Sequence, residues 1–298
     1  MEGGHMTKRK RKSWRRRPIW LYIIVALVLL YLIFPIIVVV PMSFSNSELI
    51  RFNPDSVSLR WYRKFFSDSK WLKAAFTSLK IAAGTVCLSG VLGIVAAIGL
   101  SRPAMKRSGL LKLILQLPMM LPAVIVAVAM YLVMGKWGLV GTYPGIILAH
   151  TCLALPYVVT LVSSALTGVN PSYYNAARVM GASHWTAVRK VILPLIRPAI
   201  FSSMLFGFIT SWDETVVVLF LTNSKTMTLP RLIYAELKYG ISPIIAAISS
   251  LLICLTLCAF LLSRLISANS QQSRALRAQK RMEKQAVRER EQMERAHA

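Results

Sequence analysis

Residues 143–166, YPGIILAHTCLALPYVVTLVSSAL, form an apolar run without a single Asp, Glu, Lys or Arg. About 20 such residues, at ~1.5 Å of rise each, cross the hydrocarbon core of a bilayer. Mostly apolar runs of similar length, with at most two charged residues each, lie at Ile19 to Met42, Leu79 to Leu100, Leu111 to Met134, Pro198 to Leu221 and Ile244 to Ile266. Strands of a membrane barrel would be about 10 residues long with alternating polarity. These runs are longer and do not alternate, so the fold class is all-α: a polytopic membrane protein with six transmembrane helices and both termini on one side. The composition agrees, since 55% hydrophobic residues and a mean hydropathy of +0.56 exceed what a soluble core requires.

The formal charge of +25 raises the question of a nucleic-acid partner, and its distribution answers it. Lys8 to Lys12 and Arg15 to Arg17 abut the first run, and Arg102, Lys106, Arg107 and Lys112 follow the second. Arg178, Arg189, Lys190 and Arg197 follow the fourth, and Arg264 with a basic tail follows the sixth. Basic residues concentrated on alternate loops mark the cytoplasmic side. Both termini are therefore expected in the cytoplasm. The long segment after the first run also carries Arg51, Arg60, Arg63, Lys64, Lys70 and Lys73, but mixed with Glu48, Asp55 and Asp68. No zinc-finger or RNA-binding pattern accompanies the basic ends, and no nucleic-acid partner is expected.

Cys87, Cys152, Cys254 and Cys258 all fall inside apolar runs, where a thiol behaves as a small hydrophobe. Cys254 and Cys258 share a helix face, but with no histidine nearby packing is the expected role and no metal site is predicted. The opening MEGGHM resembles a cloning scar before a native start at Met6, and the first run reads as a retained anchor. From Ser43 to Ser78 the aromatics Trp61, Tyr62, Phe65, Phe66 and Trp71 are spaced as on an amphipathic helix lying at a membrane interface. Pro103, Pro118, Pro122, Pro144 and Pro156 punctuate the middle of the chain and are candidate kinks. Gly84, Gly90, Gly93 and Gly99 would let the second span approach its neighbours closely. His150 reads as a hydrogen-bonded helix contact rather than a ligand or proton relay.

Between the fourth and fifth runs lies a polar island, PSYYNAARVMGASHWTAVRKVILP, residues 171–194. Asn170 is placed to cap a first helix that Pro171 opens, Gly181 permits a tight turn, and Ser183 is placed to cap a second helix running toward Pro194. Tyr173, Tyr174, Ala177 and Met180 recur at helical spacing, so the island reads as a docking surface, with His184 as a further contact. The pattern Ala176, Ala177, Gly181, Val191, Leu193, Pro194 resembles the EAA loop of permease subunits of type I ABC importers. The resemblance implies a MetI-like architecture from Ile19 to Ile266 in which 171–194 is a cytoplasmic coupling loop. Tyr174, Asn175, Ala176, Ala177, Gly181, Leu193 and Pro194 would then meet a cytoplasmic ATPase. Asn175 stands where that family has Glu. Trp61, Tyr62, Ser78, Leu79, Ile81 and Ala82 resemble that family's entry into its second span, and Thr228, Leu229, Pro230, Ile233, Tyr234, Gly240, Ser242, Pro243 and Ala247 resemble its polyamine branch, the spermidine and putrescine permease subunits and close relatives that carry opines or aminophosphonates.

Between Asp68 and Glu236 the only carboxylates are Asp213 and Glu214, both within the fifth run. Acids at membrane depth cost at least about 2.5–3.5 kcal/mol on insertion scales and are kept facing protein or a water-filled cavity. Read as adjacent positions on one helix, they diverge by about 100°, one facing the pathway and the other a neighbouring helix. Asp213 is the first choice for contact with a cationic substrate, Trp212 offers a cation–π face, and a salt bridge or helix contact is the alternative for the pair.

A membrane enzyme would need a nucleophile with a base or a metal site, and adjacent acids diverge too far for paired catalysis, so no catalytic residue is assigned. A self-contained secondary transporter or channel is the rival class, but no internal repeat of broken helices is found. Gly135 and Lys136 lack a phosphate loop's preceding glycine, so no cofactor is assigned to this chain. The resemblance places ATP and Mg on two separate cytoplasmic ATPase subunits. It adds a second permease chain forming a heterodimer, a solute-binding protein outside, and a bacterial inner-membrane location. The resulting division is a basic N-terminus over 1–18, with 1–5 as the scar, a permease domain over 19–266, and a charged cytoplasmic tail over 267–298.

Overall fold

The computed structural model describes residues 19–47, 57–101, 108–239 and 243–258. The basic N-terminus, Glu48, Arg51 and Asp55, the loop with Arg102, Pro103, Lys106 and Arg107, Gly240 and Ser242, the sixth run beyond Cys258 and the charged tail lie outside the described residues. Among the described residues the structure is helical, with one isolated antiparallel bridge between Ser45 and Val57. The chain divides into two compact units, Met1–Tyr62 with Pro243–Ala298, and Arg63–Ser242.

The first unit contains α1 (Ile19–Met42) and α13 (Ile244–Cys258). α1 coincides with the first predicted span, and its aliphatic side chains are exposed along most of its length. After it the chain turns back through Ser58 N–H, which donates to Phe44 O at 2.7 Å, and Trp61 Nε1, which donates to Ser45 O at 2.9 Å. Tyr62 OH shares hydrogen bonds of 2.6 Å with Ser43 Oγ and with Ser250 Oγ on α13. α2 (Arg60–Ser67) straddles the division.

The second unit is built on three long helices. α3 (Ser69–Leu100) starts ten residues before the predicted second span, because the Asp68 carboxylate caps it by accepting from Lys70 N–H at 2.9 Å and nothing interrupts it thereafter. Trp71 is buried on its first turn and Phe65 packs beside it at 6.5 Å between ring centroids. The aromatic set predicted to lie on a membrane interface is thus divided: Trp61, Phe65 and Trp71 are buried and Phe66 is exposed. α6 (Tyr143–Thr167) matches the predicted fourth span, and Pro144 sits in its first turn, where a missing N–H costs nothing. Pro156 lies inside α6 without ending it.

The third and fifth predicted spans are not single helices. α4 (Ser108–Met120) and α5 (Ala123–Lys136) meet at a 104° bend at Leu121 and Pro122. Pro122 is extended, at φ −56° and ψ 133°, and lacks the N–H that would continue the ladder. In the fifth, α10 (Arg197–Trp212) stops before Asp213, and α11 (Val216–Leu221) begins a new helix. By length and composition three helices, α1, α3 and α6, can cross a membrane, or up to five if two bent pairs, α4 with α5 and His184–Leu195 with α10, each count as one span; α13 is a shorter apolar helix.

α3, α6 and α10 pack through small residues. A Cβ on Gly93 would lie 2.5 Å from Val158 Cγ1 and one on Gly84 would lie 2.6 Å from Ile147 Cδ1, whereas Gly99 faces open space. These pairings advance together along both helices, so α3 and α6 run parallel. Gly90 faces Met204 and Gly207 faces Ser89, so α10 runs antiparallel to α3. Ser203, Gly207 and Ser211 form its buried stripe. One apolar cluster joins Ile81, Ala127, Ile146, Val217, Val218 and Leu221, and another joins Ala97, Val158, Val162 and Ile196.

Candidate functional site

The island 171–194 folds as two short helices and a turn. Asn170 Oδ1 accepts from Ser172 N–H at 2.9 Å and opens α7 (Pro171–Val179). Gly181 follows at φ +84°, in the left-handed region that favours glycine, with its N–H donating to Arg178 O and that of Ala182 to Ala177 O. Ser183 Oγ accepts from Thr186 N–H at 3.2 Å and opens α8 (His184–Ala187). Both caps and the glycine turn are as predicted. Two contacts brace the elbow: Tyr174 OH shares a 2.7 Å hydrogen bond with His184 Nδ1, and Arg178 Nη1 donates to Ala182 O at 2.8 Å.

Beyond α8 the helix widens into a π turn (Val188–Ile192) and continues as α9 (Leu193–Leu195), which bends by 76° into α10. Ala177, Ala187, Val188 and Ile192 are buried, and Leu193 packs on the Ala97, Val158, Val162 and Ile196 cluster. The seven residues predicted for ATPase coupling therefore do not share one surface. Asn175, Ala176 and Gly181 are exposed, Tyr174 is half-buried, and Ala177, Leu193 and Pro194 belong to the base that roots the loop in the bundle.

The outward face carries large apolar side chains beside the exposed Arg178, Arg189 and Lys190. Val179 is 87% exposed, Met180 81%, Trp185 62% and Tyr173 56%. Val179 and Trp185 were missed from sequence. Trp185 was nonetheless legible: it sits two residues from Ala187, about 200° around a helix, so if Ala187 faces inward Trp185 faces out.

The acids sit in the gap between α10 and α11 rather than on a continuous helix. Asp213 terminates α10, its N–H donating to Ile209 O at 3.0 Å, and its side chain is exposed. Among the described residues no hydrogen bond or ion pair reaches its carboxylate. Glu214 Oε1 accepts from Val217 N–H at 2.9 Å, satisfying a free N–H at the start of α11. This local bond competes with continued helix and accounts for the break. The predicted 100° divergence on one helix is accordingly replaced by a division of roles, one carboxylate free and one capping. Trp212 is half-buried and stacks on Phe208 at 5.5 Å.

One turn below the break, three buried polar side chains meet. His150 Nδ1 lies 2.8 Å from Ser211 Oγ, and Ser211 Oγ donates to Thr85 Oγ1 at 3.3 Å. These bonds tie α6, α10 and α3 together, so His150 is the helix contact expected from sequence. A hollow of about 320 Å³ lies elsewhere, between α5 and α6, lined by apolar residues and Cys152. Among the described residues no three His, Cys, Asp or Glu side chains gather to hold a metal.

Residues 89–271 match the family described as the binding-protein-dependent transport system inner membrane component. The chain belongs to this family. It is 32% identical over 237 residues to the spermidine/putrescine transport system permease protein PotC of Haemophilus influenzae, covering 80% of this chain and 92% of that one. It is 31% identical to PotC of Escherichia coli K12, over 80% and 89% of the two chains. To the putrescine transport system permease protein PotI of the same strain it is 30% identical, over 78% and 85%. Among solved structures it is similar to a bacterial ABC transporter involved in import of the acidic polysaccharide alginate, at a TM-score of 0.67 and 18% identity, covering 87% of this chain and 99% of that one. A second structure of a bacterial alginate transporter, in complex with an alginate pentasaccharide-bound periplasmic protein, aligns at a TM-score of 0.61 and 18% identity, covering 80% and 92%. The fold is thus that of an ABC importer permease, and this chain is a multi-pass inner-membrane permease subunit of such an importer, not an enzyme. A permease of this family works with a periplasmic binding protein.

Proposed function

We propose that the permease forms the translocation pathway for a small organic cation of the polyamine class, delivered from the periplasm and driven by ATP hydrolysed on separate subunits. The observation that carries the reading is the unpaired, exposed Asp213 carboxylate at a helix break, in a segment that from Asp68 to Glu236 holds no acid besides its capping neighbour Glu214. An ammonium group provides the charge such a carboxylate lacks, and the open face of Trp212 adds a cation–π contact. The roughly 30% identity to PotC and PotI supports the same substrate class. An opine or aminophosphonate also carries an amine and is the competing substrate.

In this reading six spans place both termini in the cytoplasm, a second permease chain completes the pathway, and two ATPase subunits carrying ATP and Mg receive the loop 171–194. The exposed Tyr173, Val179, Met180 and Trp185 supply the apolar anchors of that contact, held by the caps at Asn170 and Ser183. Asn175 is exposed and brings no negative charge, so the charge this loop offers is positive, from the exposed Arg178, Arg189 and Lys190.

Reconstitution of the permease with its partner subunits and binding protein tests the proposal. Uptake of labelled spermidine or putrescine is expected, inhibited by other alkylamines and weakened about tenfold in half-saturating concentration by Asp213→Asn. Uptake of an aminophosphonate alone, or an unchanged Asp213→Asn variant, refutes it.

A further inference from the structure

We infer that His150 is a positioning residue for the break that carries Asp213, acting through a one-way hydrogen-bond chain, His150 Nδ1–H to Ser211 Oγ–H to Thr85 Oγ1. The inference rests on the proposed role of Asp213 in the pathway. Ser211 has one hydroxyl proton, and the geometry gives it to Thr85 at 3.3 Å. It therefore has none to offer His150, and the 2.8 Å contact requires the imidazole to carry its proton on Nδ1. Nε2 is then a bare acceptor, and among the described residues it meets no hydrogen-bond partner although His150 is only 1% exposed. A polar ring kept at membrane depth with one nitrogen unmatched is there for the other nitrogen.

That other nitrogen acts on the last turn of α10. Ser211 is buried and is followed by Trp212, where the helix ends, and by Asp213. A helix end is the part that frays most readily, and this one is closed only by local bonds, Asp213 N–H to Ile209 O and Thr215 Oγ1 to Asp213 O at 3.3 Å. Pinning Ser211 to α6 and α3 together fixes both the rotation and the height of α10 two residues before the carboxylate. The neighbouring contacts on α10, Gly207 against Ser89 and Gly90 against Met204, are apolar or loose and set the distance between helices but no rotation.

The test uses the full permease complex in proteoliposomes, with a fixed excess of binding protein and varied substrate. His150→Leu is expected to raise the half-saturating substrate concentration about tenfold while leaving the maximal rate within about twofold, since it blurs the position of a binding group and not the drive. His150→Asn retains an N–H donor near the Nδ1 position and is expected to recover most of that loss. In an Asp213→Asn background, His150→Leu is expected to have no further effect, because the two act through one contact. If His150→Leu does not assemble, Ser211→Ala, which removes a single oxygen, takes its place in the same cycle. Additive effects of the two substitutions, or an Asn variant no better than Leu, overturn the inference while leaving Asp213 in the pathway. No effect of Asp213→Asn alone overturns the pathway reading itself, and the inference with it.

Discussion

Gly181 offers a test that separates backbone conformation from contact. Its φ of +84° lies where an L side chain is strained, and a Cβ built there meets nothing within 4 Å. Substitution therefore meets no steric obstacle within the permease, and its cost is conformational. Placing an ordinary residue in the left-handed region costs about 1–2 kcal/mol. Against an elbow held by two side-chain contacts, that lowers the population of the docked shape by about 5- to 30-fold. Asn visits this region more readily than Ala, and a β-branched Val least of all.

The expected order of coupled transport is thus Gly, then Asn, then Ala, then Val. The assay reads three quantities on each reconstituted variant: copurification of the ATPase, hydrolysis stimulated by loaded binding protein, and substrate moved per ATP. Ala and Val should lose stimulation and coupling together while Asn keeps most of both. If Asn proves as damaging as Val, side-chain bulk at the docking surface, and not the turn, is what Gly181 provides. If Val transports normally, the elbow geometry has no part in coupling.

Gly93→Leu would drive a side chain into Val158 Cγ1, already 2.5 Å from the first added carbon. Overpacking of about 1–3 kcal/mol should lower the melting temperature in detergent, while Gly99→Leu, in open space, should leave it unchanged. Trp185→Ala removes a large exposed anchor and should weaken ATPase association by about 1–2 kcal/mol, measured by titration of the purified ATPase. The adjacent His184→Phe loses the hydrogen bond to Tyr174 and should weaken it less. Glu214→Gln keeps an oxygen to accept from Val217 N–H and should transport nearly normally, whereas Glu214→Ala loses the cap, about 0.5–2 kcal/mol, and should transport poorly. Equal loss in both would mean that the charge of Glu214, and not its hydrogen bond, is required.

The parts of this molecule that were legible from sequence are those decided within a few residues or by total hydropathy. Asn170, Gly181 and Ser183 each act on backbone one to three positions away, so the two helices and the turn could be placed before any tertiary contact was known. The first and fourth spans emerged within a residue of their observed bounds. Pro122 was legible as one of five candidate kinks, but its 104° bend and the break after Trp212 were not, because hydropathy sums apolar residues without asking whether their backbone is continuous. The sequence SWDET looks like an intramembrane acid pair until Glu214 is seen to spend its carboxylate on Val217 N–H. Ala177 is expected on the docking face from its helical spacing with Tyr173, Tyr174 and Met180 and from the resemblance, yet which side of α7 turns inward depends on where the bundle lies. The same holds for Trp61, Phe65 and Trp71, whose spacing fits a membrane interface and a protein interior equally well.

α10 joins the loop 171–194 to the carboxylate of Asp213, and its two ends are held differently. Its sixteen residues span about 24 Å at ~1.5 Å each. At one end Ile196, with Leu193 of the loop 171–194, is set among Ala97, Val158 and Val162. At the other Ser211 is tied to His150 and Thr85. Between them Ser203 and Gly207 let α10 lie close against α3 and α6, a fit that leaves no room for sliding by a turn without collision. The chain departs from straight helix at three places: the 104° bend at Leu121 and Pro122, the 76° bend between α9 and α10, and the break at Asp213 to Thr215. The last of these is the place where the unpaired carboxylate lies, at the far end of α10 from the loop.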